Sequence, residues 1–246
     1  MAVDYDNRIA HITWTDFESG SKIRFRRLER ISNLGPLLTL DSAEGGESYF
    51  YSVPRTEPLD LPRNNLERVL GSMPVIAPNG DVFVSWLRHT LGDNGGQSGI
   101  IKLAKIINDR TTLDYIVTVT DPAFGVANEA IDDNSALEIK SWNSVSLAID
   151  PTSGDLYITY TAKDNKDVNI YLTKSTDGGL DWSSPMLFAT ENTDRWQFHN
   201  WISIDDEGTL YLSYYELTQD FTPMLIDVFV ARSTDGGQTF EENTSH

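Results

Sequence analysis

Two stretches of the chain set the same carboxylate in the same surroundings: KSTDGGLDW around Asp177 and RSTDGGQTF around Asp235, both of the form Ser-x-Asp-x-Gly-x-x-aromatic. An aspartate beside a hydroxyl and a glycine pair could act as a general acid, a general base or a cation ligand. The local chemistry points to a different task. A short carboxylate can fold back onto turn N–H groups, glycine supplies backbone angles a side chain resists, and an aromatic ring can tuck beneath the hairpin. Ser175, Asp177, Gly179 and Trp182 in one copy, and Ser233, Asp235, Gly237 and Phe240 in the other, therefore read as hairpin locks and not as reagents.

Groups suited to a ligand lie elsewhere. Arg63, Arg68 and Arg195, with Arg55 and Arg88, can present planar guanidinium groups that bind a carboxylate through two hydrogen bonds. Trp142, Trp196 and His199 offer flat surface on which a sugar ring can stack, and Asp132, Asp133, Glu138, Asp194 and Glu216 add carboxylates. Arg195, Trp196 and His199 stand out because the connection ATENTDRWQFHN is too short to hide them. The acidic pieces DNKD at Asp164 and DDNS at Asp132 are candidate calcium sites, though neither has the ligand spacing of an EF-hand loop. No other metal site and no cofactor is expected.

What positions these residues is a repeated unit. Before each STDGG turn come an alternating strand ending in Asp (Asp150, Asp205), a tight Gly turn (Gly154, Gly208), a second strand reaching Tyr160 or Tyr214, a loop and a third strand. Period-two alternation bounded by Gly, Asp and Pro is the strand signature. The same frame fits PVIAPNGDVFVSWLRH, with Gly80 and Trp86 in place, and AVDYDNRIAHITW, from Asp4 to Trp14, followed by KIRFRRLER and GPLLTL as third and fourth strands. Four-stranded units at this period predict a β-propeller, since one sheet cannot bury both its faces alone. The expected all-β division is blade 1 over about 1–42, a loop excursion over 43–70, blade 2 over 71–120, a second excursion over 121–141, blade 3 over 142–190 and a truncated blade 4 over 197–246. Four blades with ragged ends predict part of a larger propeller, of about six blades, and raise a homo-oligomer or further blades from another segment as ways to cover open edges.

The Ser-x-Asp-x-Gly-x-x-Trp/Phe pattern between third and fourth strands resembles the Asp-box, or BNR, repeat of sialidase-like propellers. The resemblance implies that these hairpins lie on the face opposite the active site. A sialidase-type enzyme further implies an arginine triad whose first member sits in an Arg-Ile-Pro type segment, an aspartate acid/base, and a tyrosine nucleophile polarised by a glutamate. SVPRTEP does not match that arginine segment. Tyr215 and Glu216 are sequence neighbours, and neighbours on a strand point to opposite faces. No catalytic residue carries over.

Composition narrows the partners. With 37 acidic against 19 basic residues and a formal charge of −18, the chain would be repelled by nucleic acid and anionic membrane surfaces. It has no apolar run of about 20 residues and so no membrane insertion is expected. The absence of cysteine removes disulfides and thiolate metal sites, and four dispersed histidines argue against zinc. The opening MAVDYDNRIAH has no signal-peptide pattern, so an exported protein would carry its leader outside this sequence. Asn243 heads a glycosylation sequon. The function these features favour is a non-catalytic propeller module that recognises a glycan or a protein at a cell surface or outside the cell. The competing expectations are a sialidase-type exo-glycosidase whose catalytic residues are divergent or lie outside this chain, and a scaffold subunit of a multi-chain assembly.

Overall fold

The computed structural model of the protein describes residues 2–4, 9–16, 22–29, 51–52, 67–91, 97–107, 113–120, 145–164, 167–188, 195–218 and 226–244. Among the described residues, all regular structure is β, arranged as four antiparallel sheets of four strands. The first sheet holds β1 (Ala2–Asp4), β2 (Ile9–Asp16), β3 (Lys22–Glu29) and β4 (Tyr51–Ser52). The second holds β5 (Glu67–Ile76), β6 (Val82–Leu91), β7 (Gln97–Ile106) and β8 (Leu113–Thr118). In the third are β9 (Val145–Ile149), β10 (Leu156–Asp164), β11 (Asp167–Ser175) and β12 (Met186–Leu187). The fourth comprises β13 (Arg195–Ile204), β14 (Leu210–Thr218), β15 (Ile226–Ser233) and β16 (Glu241–Thr244). Within every sheet the strands pair in chain order.

First strands are neighbours from sheet to sheet: β1 packs beside β5, β5 beside β9 and β9 beside β13. The sheets therefore fan out from a common line as the blades of a propeller, which is the fold the repeat predicts. Sandwiching explains the sequence of the middle blade. Leu156, Ile158 and Tyr160 of β10 join Phe83, Leu87 and Leu103 of the second sheet in one core. Tyr157 of the same strand joins Ile202, Leu212 and Tyr214 of the fourth sheet in another. Alternate residues of one strand thus serve two cores, so apolar side chains appear at odd and even positions alike.

Three details differ from the sequence reading. The fourth strand of the first sheet is Tyr51–Ser52, paired with Arg24 and Phe25, whereas GPLLTL lies outside the described residues. Aromatic residues favour an extended pleat, and SYFYSV supplies them within the stretch read as an excursion. The fourth blade, expected to be truncated, has its fourth strand: Glu241–Arg232 through Thr244–Phe229 pairing needs only four residues. The first strand of the second blade starts at Glu67, before the expected boundary, because it continues through Gly71 by a bulge.

The two STDGG turns have the same internal bonding. Ser175 Oγ donates to Asp177 Oδ1 (2.8 Å) and accepts from the Gly179 amide (2.8 Å). Asp177 then accepts from the amides of Leu180 (3.0 Å) and Asp181 (3.0–3.1 Å), and Trp182 Nε1 donates to the Gly179 carbonyl (3.0 Å). In the second turn Ser233 Oγ donates to Asp235 Oδ1 (2.8 Å), and Asp235 accepts from Gln238 N, Thr239 N and the Thr239 hydroxyl (2.9, 3.0 and 2.6 Å). These bonds favour the charged carboxylates. The Asp181 amide and Ser175 hydroxyl hold Asp177 below the usual carboxylate range, and the Thr239 hydroxyl and amide do so for Asp235. Each aspartate spends its oxygens on its own turn.

Candidate functional site

Both turns sit at one end of their blades, beside the hairpins that follow Ile149 and Ile204. The opposite end carries Arg195, paired with Thr218, and Arg68, paired with His89. Here two of the first strands break their ladders. In β13, His199 and Asn200 are inserted between the Phe198–Tyr215 and Trp201–Ser213 pairs; in β5, Gly71 and Ser72 are inserted between Leu70–Leu87 and Met73–Ser85. Two residues then oppose one, which is a β-bulge, a device that re-aims side chains near functional sites.

The bulges match residue for residue. Gly71 has φ +66°, and His199 at the equivalent position has φ +52°. Among the described residues His199 is the only one other than glycine with positive φ. The second bulge residue ties its blade to the one before. Thr13 Oγ1 donates to the Ser72 carbonyl (3.3 Å), while Asn200 Nδ2 donates to Thr159 Oγ1 (2.8 Å) and Thr161 Oγ1 donates to Asn200 Oδ1 (3.0 Å). Asn200 is buried and fixed on both sides of its amide. That clamp over-determines the backbone and holds His199 in a region most side chains avoid.

The His199 side chain is exposed, with its ring 5.4 Å from Phe198 and 5.8 Å from Tyr215, the latter edge-on. Phe198 and Tyr215 stack at 5.9 Å, and Trp196 packs with Phe198 and Leu217. Partial burial holds the imidazole below its ordinary pKa, so it is neutral at neutral pH. On the other face of β13 and β14, Gln197 Nε2 donates to Glu216 Oε2 (3.4 Å), both side chains being buried. The Gln197 Oε1 atom is buried without a hydrogen-bond partner among the described residues. Tyr215 is exposed and Glu216 buried, so the strand does separate them.

The structure brings Trp196 and His199 into one aromatic cluster. Arg68 stands at the position in β5 equivalent to Trp196 in β13, each three residues before its bulge. The side chains of Arg68 and Arg195 lie outside the described residues, as do Arg63 and Trp142 entirely. Asp164 and Asp167 pair at the tip of the β10–β11 hairpin, and Asp132 is outside the described residues. Among the described residues no three His, Cys, Asp or Glu side chains lie close enough to hold a metal, and no helix is long and apolar enough to cross a membrane. The bulge went unread in the sequence; its signal is Gly71 in the interior of the strand ERVLGSMPVI, where a glycine marks a bulge or a close approach.

No protein-family model matches the chain, and no curated protein matches it in sequence. Solved structures do. The α-L-arabinanase of Penicillium chrysogenum, complexed with arabinobiose, superposes with a TM-score of 0.57 at 12% identity, over 97% of this chain and 63% of that one. The α-L-arabinofuranosidase of Fusarium graminearum gives 0.53 at 12% identity, over 98% and 64%. A Hadza microbial sialidase gives 0.52 at 13% identity, over 72% and 38%. The chain thus spans between about two-fifths and two-thirds of the length of these structures. At such identities the likeness concerns the fold, an all-β propeller of the kind seen in these proteins.

Proposed function

We propose that the chain is a sialidase-like, Asp-box propeller module that recognises carbohydrate without cleaving it, at a cell surface or outside the cell, through the blade ends away from the STDGG turns. The observation that carries the reading is His199. An exposed histidine occupies a strained left-handed position that the second blade gives to glycine. Strain of this kind costs about 1–3 kcal/mol and gathers at ligand sites, where the gain is in function. The neutral imidazole can donate and accept hydrogen bonds from sugar hydroxyls, and the rings around it offer flat apolar surface to the C–H face of a sugar. The fold shared with a sialidase and with arabinan-directed propellers supports carbohydrate as the ligand class.

Recognition is favoured over hydrolysis by the placement of the nearest candidate groups. A tyrosine nucleophile needs its glutamate beside it, yet Tyr215 and Glu216 face opposite ways and Glu216 is engaged by Gln197. The test is calorimetric titration of the protein with arabinobiose and with sialyllactose. Binding to one of them, lost in His199→Gly while the melting temperature holds, is the expected result. Release of umbelliferone from a fluorogenic sialoside or arabinoside, abolished by Arg195→Ala, would overturn the non-catalytic reading.

A further inference from the structure

The first strand of each sheet is an edge, so some of its backbone amides point away from their own sheet and need a partner elsewhere. Two such partners come from the same position in successive blades. Met73 pairs with Ser85 in the second sheet and Ser146 with Thr159 in the third, and Ser85 and Thr159 follow Asp81 and Asp155 by four residues. The buried Ile202 amide of the fourth blade donates to Ser146 Oγ (3.0 Å). In the same way the buried Leu147 amide of the third blade donates to Met73 Sδ (3.3 Å). Ser146 Oγ in turn donates to Met73 Sδ at 3.8 Å. One file of contacts thus runs from Ile202 through Ser146 to Met73 and ties three blades together beside their common line.

The joint does not need a sulfur. Ser146 does with a hydroxyl oxygen what Met73 does with a thioether, and the thioether is the weaker acceptor. What sulfur adds is reactivity, because methionine is converted to its sulfoxide and can be returned by reductases. The surroundings suit that reaction. Met73 is half-buried at the margin of the core that holds Phe83, Leu103 and Leu147, and it directly follows the bulge of Gly71 and Ser72, where Gly71 is exposed. The sulfur therefore meets the joint on one side and lies near solvent on the other.

We propose that Met73 is a site of reversible oxidative modification, taking an oxygen atom from a hydroperoxide, and that its sulfoxide unfastens the second blade from the third. With hydrogen peroxide the sulfur lone pair attacks one oxygen and the O–O bond breaks. The proton of the attacked oxygen passes to the departing hydroxide, so the sulfur is oxidised to the sulfoxide and the peroxide is reduced to water. The product cannot keep the joint as it stands. An N–H···O bond alone spans about 2.9 Å, so no oxygen fits between the Leu147 nitrogen and a sulfur 3.3 Å away. Either the sulfur retreats or the oxygen turns aside and the amide loses its acceptor. Both movements also withdraw the sulfur from Ser146, whose hydroxyl holds the Ile202 amide three residues beyond His199.

The chain has no cysteine, so no thiol competes for the oxidant. The full chain is treated with hydrogen peroxide and its four methionines are followed by peptide mass spectrometry. Met73 is expected to take up oxygen in the folded protein within about ten-fold of its rate in the urea-unfolded chain. Exchange of the Leu147 amide with deuterium should then quicken at least about ten-fold, and slow again once methionine sulfoxide reductases restore the thioether. Met73→Leu keeps the side-chain volume without the sulfur, so it should show fast Leu147 exchange before peroxide and no further change after it. Met186→Leu should respond as the wild type does. Oxidation of Met73 slower than that bound overturns the proposal, as does unchanged Leu147 exchange at full conversion of Met73. A peroxide response that persists in Met73→Leu, or fast exchange that outlasts reduction of Met73, also overturns it, by placing the damage elsewhere.

Discussion

Replacing Gly179 by alanine separates the two duties of the STDGG glycine, backbone conformation and close approach to the neighbouring blade. Gly154 and Gly179 both have positive φ, +77° and +91°. A side chain in that region costs roughly 1–2 kcal/mol. Nothing lies within 4 Å of a Cβ at Gly154, so Gly154→Ala is expected to cost only about that amount. At Gly179 the new Cβ would meet Leu103 Cδ2 at 2.5 Å and Leu156 Cδ1 at 3.1 Å, both on fully buried leucines between two sheets. Those methyls can yield only by leaving their rotamers, and overpacking of this kind adds about 1–3 kcal/mol. The sum for Gly179→Ala is therefore about 2–5 kcal/mol. Gly237→Ala, with its nearest approach at 2.9 Å, should fall between the other two. Urea unfolding followed by far-ultraviolet circular dichroism measures all three. If Gly154→Ala and Gly179→Ala agree within about 0.5 kcal/mol, the turn does not bear on the preceding blade and the reasoning is refuted.

Other outcomes follow from the same contacts. Asn200→Ala leaves the buried Thr159 and Thr161 hydroxyls without their partner, and a loss of about 2–4 kcal/mol in the same assay is expected; a cost below about 0.5 would remove the clamp from the explanation of the bulge. Asp177 and Asp235 titrate below their unfolded values, so the unfolded chain takes up protons first; their stabilisation is full above about pH 4 and is lost as pH falls through the folded values. The Asp177→Asn, Asp235→Asn double variant should be less stable at neutral pH yet lose less between about pH 5 and pH 2, and a profile parallel to the wild type would contradict this. His199 titrates low for the opposite chemical reason, partial desolvation of a cation, so a carbohydrate complex that uses the neutral ring should hold its affinity from about pH 8 to 7 and weaken only as pH falls below the ordinary histidine range; affinity that rises on acidification would show the charged ring to be the binder.

Strand alternation and the twin turns make the four-stranded units legible, because period-two patterning and a Gly-Gly hairpin are local signals that tertiary contacts reinforce. Trp182 donates to the Gly179 carbonyl within its own hairpin and Asp177 and Asp235 accept from their own turn amides, whereas the Phe240 ring packs edge-on against Phe188 of the third blade. The bulge is a different matter. Nothing in WQFHNWISI says that His199 and Asn200 oppose a single residue, because the clamp that fixes them lies about forty positions earlier, at Thr159 and Thr161. Only alignment with Gly71 in the second blade exposes it. The early start of β5 went unread for the same reason, since a glycine within a strand looks like its boundary. The interlock between blades was equally hidden, as a glycine's need for room is set by Leu103 and Leu172 on another sheet.

The most direct measurement is the paired titration of wild-type protein and His199→Gly with the two oligosaccharides. Glycine relieves the left-handed strain that it also bears at position 71 and forfeits the exposed ring. The expected result is saturable binding to the wild type, no detectable binding to the variant, and a variant at least as stable to urea. Unchanged affinity in His199→Gly, or a variant that simply unfolds, would contradict a strained histidine kept for its ligand.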